Sequence, residues 1–323
     1  MKQKIVVDSK INFLSFYSGL HNEFEFILDE TLQTNADLYI INIWDSDLLN
    51  KIQNLKGKVL LLDNEGEDWN YEERIKYIEP LIKENIYFIS ARNFLNENKN
   101  IVQNLKYLNL FYYFHRMNDG FYFHPPLPEF ELKDKKYDFI SYLGLQNNNT
   151  DYHIDDKAWR KRYINSINFN GKTKFIPKTF SDNLQSQQHI LHNGNIMNDN
   201  WGAYNWYSLI ESEQAKIKIV FETLPIDWGK ETFFSEKTVK CLIHSQPYFL
   251  ILPSELKNYL EEIGFKLPKI DLNELCRYWD IDVWIKGHKE IFVENKKRFY
   301  KMIHNNNLPH CTFIKKILKK NVF

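Results

Sequence analysis

The sequence lacks the patterns that mark several common chemistries. Its three cysteines, Cys241, Cys276 and Cys311, are odd in number, far apart and never spaced CxxC. That gives no disulfide framework, and it fits buried, inert thiols in a reducing compartment. Neither charge sign is in excess, since 42 Lys and Arg face 42 Asp and Glu. Neutrality argues against a chain whose chief task is to coat nucleic acid. No window reaches the ~18 apolar residues of a membrane span. The opening MKQKIVVDSKINF has no apolar stretch long enough for a signal peptide. These absences predict a cytoplasmic protein. Walker loops, GxGxxG and GxSxG are all missing, and no internal repeat recurs at a fixed period.

What is present has the composition of a globular chain. At 323 residues and 43% hydrophobic content there is material for two cores. Aromatic residues reach 16%. Most belong in the core, although aromatic faces also suit sugar rings and bases. Charge is uneven along the chain: from Lys286 onward ten Lys or Arg stand against two Glu, a local +8. Such a run serves as a solvated helical face, or it meets an anionic acceptor or a membrane surface.

Strand-like and helix-like runs alternate. DLYIINIW (37–44), KVLLLD (58–63) and IYFIS (86–90) read as buried strands. Between the last two, Ile75, Ile78 and Ile82 have helical spacing within a charged stretch, 71–83. A further helix is expected over 101–111. This β–α–β–α rhythm predicts a parallel sheet with helices on its faces. HPPLPEFELKDKK then breaks the pattern with three prolines and reads as a crossover. The rhythm restarts with YDFISYL (137–143) and a helix capped by Asp155 or Asp156. KIKIVF (216–221) reads as a strand, 235–244 as a helix and PYFLIL (247–252) as a strand. A helix follows over 254–263, with Gly264 as its C-cap. The stretches 288–307 and 311–320 also read as helices. The expected fold class is α/β, with two Rossmann-like domains facing a cleft and helices at the C-terminus. The domains span 1–128 and 129–287, and 288–323 forms a basic helical segment.

The chemistry concentrates in KIKIVFETLPIDWGKETFFSEKTVKCLIHSQPYFLIL. Glu222 and Thr223 follow a buried strand, and Glu236 and Lys237 open the next helix. A helix start and a lysine together favour phosphate, and a carboxylate can accept both hydroxyls of a ribose. The same residues also serve a purely structural purpose, with Ser235 as cap and Glu236 complementing the helix dipole.

This stretch resembles the donor-binding part of GT-B glycosyltransferases, most closely the α1,3-fucosyltransferase family. The matching residues are Phe221, Glu222 and Thr223, then Phe234, Ser235, Glu236 and Lys237, then Pro247, Tyr248 and Phe249. The resemblance implies that Glu236 holds the nucleotide ribose, that Lys237 faces the diphosphate and that Glu222 supports the sugar or phosphate side. In that family an arginine on the first helix of the second domain approaches the diphosphate. Arg160 matches best in WRKRY, with Arg162 as the alternate. A planar guanidinium can bond two phosphate oxygens at once. The family's candidate base follows a first-domain strand, which points here to Glu65 or Glu67, with Asp63 third. The TLPIDWGKETFFS insert and the Thr-Leu in place of Asn-Ser depart from the family pattern.

The implied activity is sugar transfer from a nucleoside-diphosphate sugar, GDP-sugar or UDP-sugar, to a hydroxyl of a glycan acceptor with inversion. No tightly bound cofactor is implied. A DNA-modifying sugar transferase acting on a hydroxymethylated base is a second reading. A non-catalytic nucleotide- or carbohydrate-binding protein is a third. Contact with DNA or an anionic membrane would use the basic segment 286–323, the latter giving a peripheral membrane location. No metal site is expected: Asp45-Ser46-Asp47 and Asp280-Ile281-Asp282 have a DxD form, but Asp45 or Ser46 reads as a helix cap, and the histidines form no ligand set with supporting acids.

Overall fold

The computed structural model describes residues 2–8, 17, 20–43, 47–63, 71–90, 100–102, 108, 110, 129–144, 154–169, 173–178, 214–222, 234–304 and 308–319. It is a mixed α/β structure built on two parallel sheets. Two compact units divide the chain: residues 1–119 with 302–323, and residues 120–301.

The first unit holds β1 (Gln3–Val7), β2 (Phe24–Leu28), β3 (Leu38–Asn42), β4 (Lys58–Asp63), β5 (Ile86–Ser90) and β6 (Ile101–Val102). Their order in the sheet is β2-β1-β3-β4-β5-β6, with every pairing parallel. β3 and β5 are buried along their whole length, which is why their sequences run apolar without alternation. α1 (Leu48–Gln53) and α2 (Tyr71–Ile78) supply Ile52 and Ile78 to one core. There they join Val6, Ile41, Val59, Leu61 and Phe88. Each such side chain contributes roughly 1.5–3 kcal/mol by leaving water.

Three local expectations are corrected. The helix over 71–83 stops at Ile78 and tightens into a 3-10 turn, Glu79–Leu81, because Pro80 has no N–H to continue an α-helical ladder. The start of the helix expected over 101–111 is instead edge strand β6. Its Ile101 and Val102 sit opposite Phe88 and Ile89, so an open sheet edge outweighs local spacing. Leu108 and Leu110, described beyond it, are helical. The N-cap position of α1 is Asp47, with no side-chain capping bond, and Asp45 and Ser46, the expected caps, lie outside the described residues.

The second unit holds β7 (Tyr137–Gly144), α3 (Ile154–Asn165), β8 (Thr173–Lys178), β9 (Ala215–Phe221), α4 (Glu236–Leu242) and β10 (Tyr248–Ile251). α5 (Ser254–Glu262) and α6 (Leu272–Tyr278) follow. The sheet order is β10-β9-β7-β8, again all parallel. Asp155 and Asp156 lie within the first turn of α3 and not at its cap. After α5, Gly264 takes φ +93, the left-handed conformation that terminates the helix.

The basic C-terminal run is shared between the units. α7 (Ile281–His304) starts earlier than the charge pattern suggests. It buries Trp284, Ile285, Phe292 and Phe299 and leaves Lys286, Lys289, Lys297, Arg298 and Lys301 exposed. α8 (Pro309–Lys319) packs in the first unit, with Phe313 edge-on to Tyr87 and Lys58 Nζ donating to the Ile317 carbonyl at 2.6 Å. Among the described residues no helix is long and apolar enough to cross a membrane.

A buried polar knot lies beside β10. His244 Nδ1 accepts the Gln246 N–H at 3.1 Å, and Gln246 Nε2 donates to the Ala215 carbonyl at 2.8 Å. Burial, then the cations Lys218, Lys296 and Lys135, push the His244 pKa down to about 3. The folded protein therefore resists a proton that the unfolded chain accepts below about pH 6.5. Stability is complete above that pH and falls as the pH drops toward the folded pKa. Urea unfolding should show wild type losing about 2 kcal/mol more than His244→Asn between pH 6.5 and 5. Parallel stability curves for the two proteins would contradict this.

Candidate functional site

The chain runs from β7 through α3 to β8 on one side, then returns to place β9 on the other side of β7. Connections leave β7 and β9 in opposite directions. The carboxyl ends of these two strands therefore flank the topological switch point, where open α/β sheets take their ligands. Glu222 is the first residue beyond β9, and its N–H donates to the Ile251 carbonyl at 3.1 Å. Arg160 sits on α3, the helix that follows β7. Its Nη2 donates to the Glu222 carbonyl at 2.7 Å. Arg160 is 3% exposed and Glu222 1%.

Packing fixes this arrangement. Phe221 is met edge-on by Trp159 at 5.4 Å and by Tyr163 at 5.6 Å, so one turn of α3 holds the last residue of β9. The Arg160 guanidinium lies 5.8 Å from the Trp159 ring centre, within reach of a cation–π attraction. Burial, then Asp271 and Cys276, push the Tyr163 phenol up to about 12, so it stays neutral across the physiological range.

The Glu222 carboxylate reaches the start of α4. Oε1 accepts the Ser235 N–H at 3.2 Å and the Thr238 hydroxyl, while Oε2 accepts the Ser235 hydroxyl. Ser235 Oγ in turn accepts the Lys237 N–H at 3.3 Å and lies 3.4 Å from Lys237 Nζ. A carboxylate offers about four acceptor positions, and three of them serve Ser235 and Thr238. Glu222 thus acts as a clamp between strand and helix. Lys237 is partly exposed at the same corner.

The other expected residues fall differently. Phe234 is buried and packs on Tyr259 with ring centres 6.2 Å apart. Arg162 points to solvent. Glu236 is the first residue of α4, and its side chain lies outside the description, as do Thr223, Glu65 and Glu67. Thr238 was not anticipated; the signal is its position three residues after the cap Ser235, one helical turn on. Asp280 and Asp282 are occupied structurally. Asp280 accepts the Val283 N–H at 2.9 Å, and Asp282 pairs with Lys216 at 2.7 Å. No group of three or more His, Cys, Asp or Glu able to hold a metal ion occurs among the described residues.

The first unit has its own polar edge. Asp8, Asn42, Asp63 and Ser90 stand at the carboxyl ends of β1, β3, β4 and β5, all buried. Ser90 Oγ donates to Asp63 Oδ2 at 2.6 Å, and Lys51 Nζ lies 3.5 Å from Asp8 Oδ2. Apart from Asp63 these were not anticipated, although each apolar run (IVVD, YIIN, LLLD, YFIS) closes on a polar residue.

No protein-family model matches the chain, and no curated protein matches it in sequence. Among solved structures it is similar to an α1,3-fucosyltransferase at 14% identity and a TM-score of 0.47, covering 99% of this chain and 91% of that one. It is also similar to an α1,3-fucosyltransferase with GDP at 15% identity and a TM-score of 0.43, with the same 99% and 91% coverage.

Removing the clamp orphans buried donors. Glu222→Ala should cost about 3 kcal/mol of stability, whereas Glu222→Gln, which keeps one acceptor oxygen, should cost about 1–2 kcal/mol. Arg162→Ala, at the surface, should change it by less than about 0.5 kcal/mol. Denaturant unfolding of the three variants checks this ranking.

Proposed function

We propose that the chain is a glycosyltransferase that uses a nucleoside-diphosphate sugar, GDP-sugar or UDP-sugar, bound at the Glu222 corner of the second unit. One observation carries the reading. Two cationic side chains, Arg160 and Lys237, are tied to the same buried residue beside a switch point of parallel strands. Arg160 is held through the Glu222 carbonyl, and Lys237 through Ser235. A guanidinium fork and a point charge together suit a diphosphate, and the position is where such folds take their ligands.

In this reading Arg160 and Lys237 hold the diphosphate, and Glu236 accepts the ribose hydroxyls. Glu222 contributes by position, setting where Lys237 and Glu236 begin. The acceptor is a glycan hydroxyl. Its oxygen forms a bond to the anomeric carbon as the carbon–oxygen bond to the diphosphate breaks, with inversion. The electron pair leaves on the nucleoside diphosphate, where Arg160 and Lys237 offset the growing charge. The acceptor proton goes to a carboxylate, Glu65 or Glu67 or the neighbouring Asp63. The reaction needs no metal in this scheme and belongs in the cytoplasm.

Thermal melting with GDP, UDP, CMP and dTDP and their sugar conjugates tests the donor site. A ligand at 100 times its dissociation constant stabilises by about 2.7 kcal/mol. The expected result is a raised midpoint with GDP or UDP in wild type and none in the Glu236→Ala, Lys237→Ala double variant. Absence of a shift with every nucleotide would overturn the proposal.

A further inference from the structure

Exposed apolar surface gathers at one place in the second unit. Among the described residues five large apolar side chains stand exposed, and Tyr278, Trp279 and Val283 are three of them. All three lie where α6 gives way to α7. Single exposed apolar residues are ordinary, whereas a cluster marks a contact surface. Tyr278 is 75% exposed and Trp279 45%. Trp279 is nonetheless held in place. Its main-chain N–H donates to the Leu275 carbonyl at 3.2 Å, and its ring meets His288 edge to face at 6.4 Å.

His288 joins this platform to an open groove of about 450 Å³, where the turn after α5 meets α7. Its ring stacks on Trp284 at 4.7 Å, and Nδ1 donates to the Trp284 carbonyl at 2.8 Å, which leaves Nε2 for another partner. Phe265, Leu267, Ile270 and Ile291 supply the apolar lining. Buried Asn295 fixes the turn: its Oδ1 accepts the Lys266 N–H at 2.8 Å, and its Nδ2 donates to the Lys266 carbonyl at 2.7 Å.

The charged groups of the lining decide what it suits. Glu261 and Lys269 are exposed, and neither side chain has a hydrogen-bond or ion-pair partner among the described residues. Lys266 is paired with Glu294 at 2.6 Å. One open carboxylate and one open ammonium cancel, so the groove favours neither an anion nor a cation. A neutral molecule with apolar faces and several hydroxyls fits both features. Its C–H faces rest on aromatic and aliphatic side chains, while its hydroxyls donate to a carboxylate and accept from an ammonium. Sugar rings have this make-up.

We propose that the groove and the Trp279 platform form a second site, which holds a neutral oligosaccharide away from the nucleotide corner. One ring stacks on Trp279. The next lies in the groove, with hydroxyls on Glu261, Lys269 and His288 Nε2. The use of this site to keep a long acceptor at high effective concentration rests on the glycosyltransferase reading. The binding itself is measured apart from it.

Native electrophoresis of the full chain through gels containing soluble glucan, galactan, mannan or xylan reads binding as retardation relative to a polysaccharide-free gel. At least one polymer should retard wild type. Trp279→Ala should weaken that binding about tenfold, the scale of one stacked aromatic face. Glu261→Gln should weaken it less, and both variants change exposed side chains, with circular dichroism as the check on folding. The melting shift that GDP or UDP gives wild type should persist in Trp279→Ala. Free migration in all four gels, or retardation that Trp279→Ala leaves unchanged, would overturn the proposal. A dimer in sedimentation velocity that Trp279→Ala splits would also overturn it, by assigning the platform to a second copy of the chain. Trp279-dependent retardation without any nucleotide shift in wild type supports the glycan site and removes the transferase reading alone.

Discussion

Glu222 is buried at the end of a central strand, and its carboxylate receives a backbone N–H and two hydroxyls from the start of the next helix. A carboxylate out of water is tolerated only when its oxygens are bonded, so the clamp and the burial depend on each other. The main-chain carbonyl of the same residue takes the Arg160 guanidinium. One residue thereby fixes three elements: β9 through its backbone, α4 through its side chain and α3 through the arginine. Every group offered for phosphate in the second unit is placed relative to it.

The two units share this construction. Both sheets are parallel and change direction beside their first strand, β1 in one and β7 in the other. Both put polar residues where apolar strands end. In the first unit these are Asp8, Asn42, Asp63 and Ser90, in the second Glu222. In the first unit β3 and β5, buried along their whole length, are apolar until a polar last residue, so polar chemistry collects at the carboxyl edge. The basic C-terminal run serves a different end. Its helices α7 and α8 bury an apolar stripe that includes Phe292, Phe299, Ile314 and Ile317, and its charges mostly face solvent.

Much of this was legible in the residues. β4 and β5 fall on the bounds that KVLLLD and IYFIS imply, because an unbroken apolar run flanked by polar residues has few other uses. Ser235 as cap and Gly264 as terminator follow from local backbone chemistry. What was less legible depends on partners distant in sequence. β6 forms because β5 has a free edge. β1, β2 and β8 carry charged or polar residues among their apolar ones and give weaker patterns. Glu222 reads in sequence as a residue facing a ligand, yet its oxygens are taken by residues 13 and 16 positions away. Spacing alone cannot show that pairing.

The central claim is that the Glu222 corner presents Arg160 and Lys237 to a diphosphate. A crystal structure of the protein soaked with the nucleoside diphosphate that raises its melting point tests it most directly. The account predicts phosphate oxygens within hydrogen-bonding distance of the Arg160 guanidinium and Lys237 Nζ, beside the carboxyl ends of β7 and β9. Nucleotide bound anywhere away from Glu222 would contradict it.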